Sequence, residues 1–147
     1  MKPRPSPPIP AALVGLLLLI GLTALAGGVT LVASNGRWIG LPLAALEPSP
    51  FSSYRVPGVV LALVVGGSQL VAAAAALRRR RDALRLATVA AIILGGWIAV
   101  QALMIGIYWL QPVMFLFAIV ELGLISSSLP RETPPAPHAR HRKHRAA

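Results

Sequence analysis

A single carboxylate, Glu121, stands inside the apolar run MFLFAIVELGLI, Met114 to Ile125. The other side chains in apolar stretches that could bond or relay a proton are Gln69, Gln101, Gln111, Thr23, Thr30, Ser68 and Thr88. An ionisable group in a membrane-type helix marks a substrate path, a proton relay or a buried structural pair. Catalysis asks for more: a nucleophile or metal with an oriented base, or an acid and a base within reach of each other. No histidine and no second carboxylate falls in these stretches, so no catalytic residue and no cofactor is expected. The lack of cysteine removes disulfides, thiol catalysis and thiolate metal sites. His138, His141 and His144 recur every third residue in a Pro-rich tail, but no Cys, Asp or Glu lies among them, and no metal site is expected there.

The elements that must hold Glu121 follow from composition. Of 147 residues, 56% are hydrophobic and 12% charged, and the apolar residues fall in long blocks, the pattern of an integral membrane protein. A span needs about 20 apolar residues. Four segments qualify, at about 10–33, 57–77, 83–106 and 111–129, and they predict an all-α, polytopic four-helix bundle. Residues 1–9 form a Pro-rich basic N-terminus and 130–147 a basic tail expected to be disordered. The abundance of Ala, Gly and Pro, with 12 Arg against 2 Lys, suggests a bacterial source of high GC content.

Charge orients this bundle. With four spans, both termini and the second-to-third connection share one side, which holds Lys2, Arg4, Arg78, Arg79, Arg80, Arg81, Arg85, Arg131, Arg140, Arg142, Lys143 and Arg145; the other side holds Arg37 and Arg55. Twelve against two predicts cytoplasmic termini in a plasma-membrane protein. Trp38, Phe51, Tyr54, Tyr108 and Trp109 then fall at the outer boundary, where amphipathic rings prefer to lie. An alternative reading of the N-terminus is a cleaved signal peptide: Lys2 and Arg4, an apolar core, then Ala24–Ala26. The apolar run continues to Ala33, the length of a full span, and favours a helix.

The outer connection, Ser34 to Val56, is too long for a hairpin, and its Trp38–Leu46 part reads as a short interfacial helix or re-entrant piece. The arginines at 78–81 and Arg85 set topology and could meet anionic lipid headgroups; a net charge of +10 beside membrane helices needs no nucleic acid to account for it. Close packing in lipid favours small residues. Ala62, Gly66, Gln69, Ala73 and Ala76 repeat on the second helix and Ala87, Ala91, Gly95 and Ala99 on the third; with the pairs Gly66–Gly67 and Gly95–Gly96 they predict the closest contact between helices two and three. Gln69 lies nine residues before Arg78 and Glu121 ten before Arg131, about 14–15 Å from these markers at about 1.5 Å per residue. Level with each other, the amide and the carboxyl could bond, with burial favouring the neutral acid.

In outline the stretch PGVVLALVVGGSQLVAAAAALRRRR, Pro57 to Arg81, followed by two closely spaced helices, resembles small four-helix bacterial membrane proteins of the DoxX-like kind and neighbouring families. WLQPVMF and SPFSSYRVPG resemble motifs shared among actinobacterial membrane proteins, a likeness that implies no known activity. DoxX-like proteins carry an acidic residue early in the corresponding helix; Val59 to Ala62 offers none, so no site residue is carried over. The expectation is a structural or accessory subunit assembling with itself or with another membrane protein, not an enzyme. The alternative is a small proton-coupled transporter or exporter using Glu121 with Gln69.

Overall fold

Proline, asparagine and glycine set the helix ends. In the computed structural model, which describes residues 9–106 and 110–129, Pro10 is extended (φ −61°, ψ 138°) and α1 follows over Ala11–Ser34. It stops where Asn35 turns left-handed at φ 50°, a conformation asparagine tolerates better than most residues, and Gly36 continues at φ 83°. α2 runs over Arg55–Leu77, α3 over Ala83–Ile105, ended by Gly106 at φ 78°, and α4 over Leu110–Ser128. There is no strand among the described residues, and each helix is long and apolar enough to cross a membrane. The basic termini with their histidines, and Tyr108, Trp109 and Arg131, lie outside the described residues.

The helices form a ring in chain order: α1 packs on α2, α2 on α3, α3 on α4, and α4 closes more thinly on α1. α2 and α4 therefore face each other across a diagonal. The closest approach is between α1 and α2, not between α2 and α3 as the paired glycines predict. A Cβ on Gly28 would stand 2.5 Å from the Gly58 carbonyl oxygen and 2.6 Å from the Ala62 nitrogen, and one on Gly66 would stand 3.0 Å from the Leu25 nitrogen. Gly67, Gly95 and Gly96 have nothing within 4 Å of that position, and Ala99 is exposed. The α2–α3 contact uses alanines nearer the arginine turn, where Ala72 and Ala73 share a core with Ala87, Ala90 and Ala91. Glycine pairs look alike in sequence wherever they sit; which faces inward depends on helix phase.

That phase is altered in α2. Its winding is α over Arg55–Val59, π over Val60–Gly66 and α again over Gly67–Leu77. Four residues overshoot one α turn by about 40°. The wider π turn removes that overshoot, so Gly58, Ala62 and Gly66 stay in line against α1.

The Ser34-to-Val56 connection is folded rather than loose. It carries two 3₁₀ turns, Arg37–Ile39 and Leu43–Leu46, and Trp38 is exposed. Tyr54 locks it: its amide N–H donates to Asn35 Oδ1 at 2.7 Å, its hydroxyl donates to the Pro42 carbonyl at 2.9 Å, and its ring lies buried with Leu31 and Leu46. Tyr54→Phe keeps the ring and removes the hydroxyl bond, so the loop should lose about 0.5–1.5 kcal/mol of local stability. Faster amide exchange between Leu41 and Ser53 would register this; unchanged exchange would show that the ring alone holds the cap.

Candidate functional site

Glu121 owes its place to the one narrow seam by which α4 joins the bundle. Along α4, Gln111, Ala118, Glu121 and Ile125 are buried, and half-buried Met114 and Ser128 continue the same series in steps of three and four; Val113, Phe115, Leu116, Ile119, Val120 and Leu122 face outward. Such spacing is that of a coiled-coil stripe, in which each inward side chain must fit its neighbours. The carboxyl at the middle of the stripe lies away from the surface. Glu121 is 0% exposed, and so is Gln69 on α2.

The two side chains meet. Gln69 Nε2 donates to Glu121 Oε2 at 3.0 Å, joining α2 to α4 across the diagonal of the ring. Gln69 lies three residues past Gly66, a rotation of about 60° off the line that touches α1. Its stem still packs beside α1, where a Cβ on Gly21 would come within 3.3 Å of Gln69 Cβ. The level placement read from the arginine markers thus coincides with a direct bond. Phe117 and Trp97 both pack against the core formed by Ile20, Ala24, Val65, Leu94, Ile98 and Ala118.

Hydroxyls along the helices lead nowhere. Thr23 donates to the Leu19 carbonyl, Ser68 to Val65, Thr88 to Leu84, and Ser126, Ser127 and Ser128 to carbonyls of their own helix. These are local back-bonds within single helices, not a chain of groups linking Glu121 to either end. Gln111, near the start of α4, is buried. Trp97 Nε1 is a third buried polar atom without a partner, alongside Gln69 Oε1 and Glu121 Oε1. Sequence reading offers no signal for it, because a lone tryptophan in a span reads as core. Trp97 also lines a narrow apolar crevice of about 70 Å³ beneath the folded loop, with Leu31, Tyr54, Val100 and Met104. Gln69 and Glu121 do not line it.

At the α2–α3 turn, Arg78, Arg79, Arg81 and Arg85 are exposed, and Arg79 is left-handed at φ 51°. Arg80 pairs with Asp82 through two hydrogen bonds of 3.0 Å. The Arg80 guanidinium holds the Asp82 carboxyl below the usual carboxylate range, and Asp82 raises Arg80 in turn. A carboxyl lowered in this way favours the folded turn above its unfolded titration range and loses that contribution as pH falls through the folded one. Both partners are solvent-exposed, so the effect on the whole bundle is slight. Among the described residues no group of His, Cys, Asp and Glu could hold a metal ion.

No family model, curated protein or solved structure matches this chain. Its class is therefore set by its own architecture: an all-α bundle of four helices long and apolar enough to cross a membrane, with one carboxyl–carboxamide bond between two of them.

Proposed function

We propose that this chain is a small, non-enzymatic subunit of the plasma membrane, structural or accessory, that assembles with itself or with a second membrane protein. The observation carrying this reading is the Gln69–Glu121 bond: the one carboxyl of the described spans is directed at the diagonally opposed helix, fully buried, and bonded there. The outward faces are apolar, with Leu22, Leu63, Ile92 and Leu103 all more than half exposed, as lipid or a membrane partner requires. The charge count of twelve against two supports cytoplasmic termini. In that orientation Arg78, Arg79, Arg81 and Arg85 meet the anionic headgroups of the inner leaflet, each contributing about 1 kcal/mol. Replacing these four by Gln should lower the share of anionic lipid that copurifies with the protein; an unchanged share would reduce the arginines to topology markers.

A proton-coupled transporter or exporter is the rival, favoured by the carboxyl oxygen that lacks a partner, Glu121 Oε1. Glu121→Gln separates the two because it preserves shape and hydrogen bonding and abolishes titration. A structural subunit assembles normally after this change and shows no pH-dependent flux in liposomes before or after it. A transporter loses such a flux while its assembly is unchanged, and that result would sink the structural reading.

A further inference from the structure

The Gln69–Glu121 contact leaves an imbalance of donors and acceptors. One amide hydrogen joins Gln69 Nε2 to Glu121 Oε2, while Gln69 Oε1 and Glu121 Oε1 are both buried without a partner. If Glu121 were ionised, both leftover atoms would be acceptors, and no donor reaches either one. Burying such groups unpaired costs free energy, most of all for a charge. Nothing nearby offsets it. The described part of α1 carries no charged residue, the only charged residue of α2 is Arg55 at one end, that of α3 is Arg85 at the other, and α4 holds no other charge. The hydroxyls of Thr23 and Ser68 are directed at carbonyls of their own helices.

One proton removes the imbalance. A carboxylic acid and a carboxamide each present a donor and an acceptor side by side in a plane, so protonating Glu121 Oε1 turns one orphaned acceptor into the donor that the other needs. We propose that Gln69 and Glu121 form a binding site for a single structural proton. The Glu121 Oε1–H donates to Gln69 Oε1 while Gln69 Nε2–H donates to Glu121 Oε2, closing a neutral ring between α2 and α4. The proton comes from water before the helices pack; no covalent bond between heavy atoms forms or breaks, and nothing is oxidised. With both residues 0% exposed and the hydroxyls of Thr23, Ser68 and Thr88 bonded within their own helices, the site is sealed once the bundle has closed. This deepens the structural reading above and rests on it for the sealed state only.

Infrared difference spectra of the full chain in lipid vesicles, wild type minus Glu121→Gln, test the site. The expected spectrum has a carbonyl band of a protonated carboxylic acid, absent from the variant and unchanged when the buffer is made alkaline. Gln69→Leu should move this band to higher wavenumber, because the carboxyl carbonyl loses its amide donor. Helix content by circular dichroism checks that each variant is folded, and Gln at position 121 can form the same two-bond ring as an amide pair. Carboxylate bands at neutral pH in place of the acid band would overturn the bound proton, and leave the structural subunit standing. A band unmoved by Gln69→Leu would overturn the ring. An acid band that titrates with the buffer would overturn the seal; joined to a flux in liposomes, it would overturn the structural reading as well.

Discussion

Gly28→Ala should force α1 and α2 apart. The added methyl would stand 2.5 Å from the Gly58 carbonyl oxygen, 2.6 Å from the Ala62 nitrogen and 2.6 Å from the Ala62 Cβ. Two of these three atoms are backbone, so no rotamer change relieves the clash and one whole helix has to move. Overpacking of this kind costs about 1–3 kcal/mol, and a rigid backbone obstacle puts it at the upper end. Gly95→Ala and Gly96→Ala provide the control. Nothing lies within 4 Å of a Cβ at either position, and replacing a mid-helix glycine by alanine favours the helix by roughly 0.5–1 kcal/mol. Thermal unfolding of the three variants in one detergent should separate them by sign. Equal midpoints for Gly28→Ala and Gly96→Ala would mean that the α1–α2 crossing is looser than described here.

Glu121→Leu carries the second large effect, and it acts through the partner left behind. Leucine suits an apolar seam, so the loss comes from Gln69, whose amide remains fully buried with neither end bonded. An orphaned buried polar group of this kind costs about 1–3 kcal/mol. Glu121→Gln restores an amide partner of the same shape and should cost less than about 1 kcal/mol, in keeping with the modest worth of a single polar bond between helices in lipid. The double change Glu121→Leu with Gln69→Leu removes both polar groups and should recover most of the loss. Such a cycle isolates the pair. If the double variant is as unstable as Glu121→Leu alone, shape rather than hydrogen bonding is what the seam requires.

Much of this architecture is legible in the sequence because a bilayer leaves few choices. Runs of about 20 apolar residues bounded by Pro10, the arginines at 78–81 and Gly106 read as helices of membrane-crossing length, and the helices begin and end within a few residues of the expected limits. The Gln69–Glu121 pairing is legible for the same reason, since depth along a span is a single coordinate. Rotation about the helix axis is not. It depends on winding, and no residue among Val60–Gly66 announces a π turn. On α3 the four-residue repeat Ala87, Ala91, Gly95, Ala99 drifts by about 40° per step, so it leaves the contact before Gly95 and Gly96, while Ala62, Gly66 and Ala73 are buried as expected and Gly67 has no neighbour within 4 Å of a Cβ. The loop was legible as a segment too long for a hairpin with a short helical or re-entrant piece over Trp38–Leu46; its lock was not, because it depends on Tyr54 reaching back 19 residues to Asn35.

The π stretch of α2 also bears on how such a chain can have diverged. Adding one residue inside a span normally rotates everything beyond it by about 100° and ruins the packing. A wide turn absorbs close to one residue's worth of that rotation, so α2 has the form of a helix that accommodated an insertion between Val59 and Gly67. Descendants of the same ancestor could then differ by a one-residue gap at this point and still superimpose from Gly67 onward. Alignments that forbid gaps within spans would place Gln69 one position out of register and set Ser68 or Leu70 opposite Glu121 in its place.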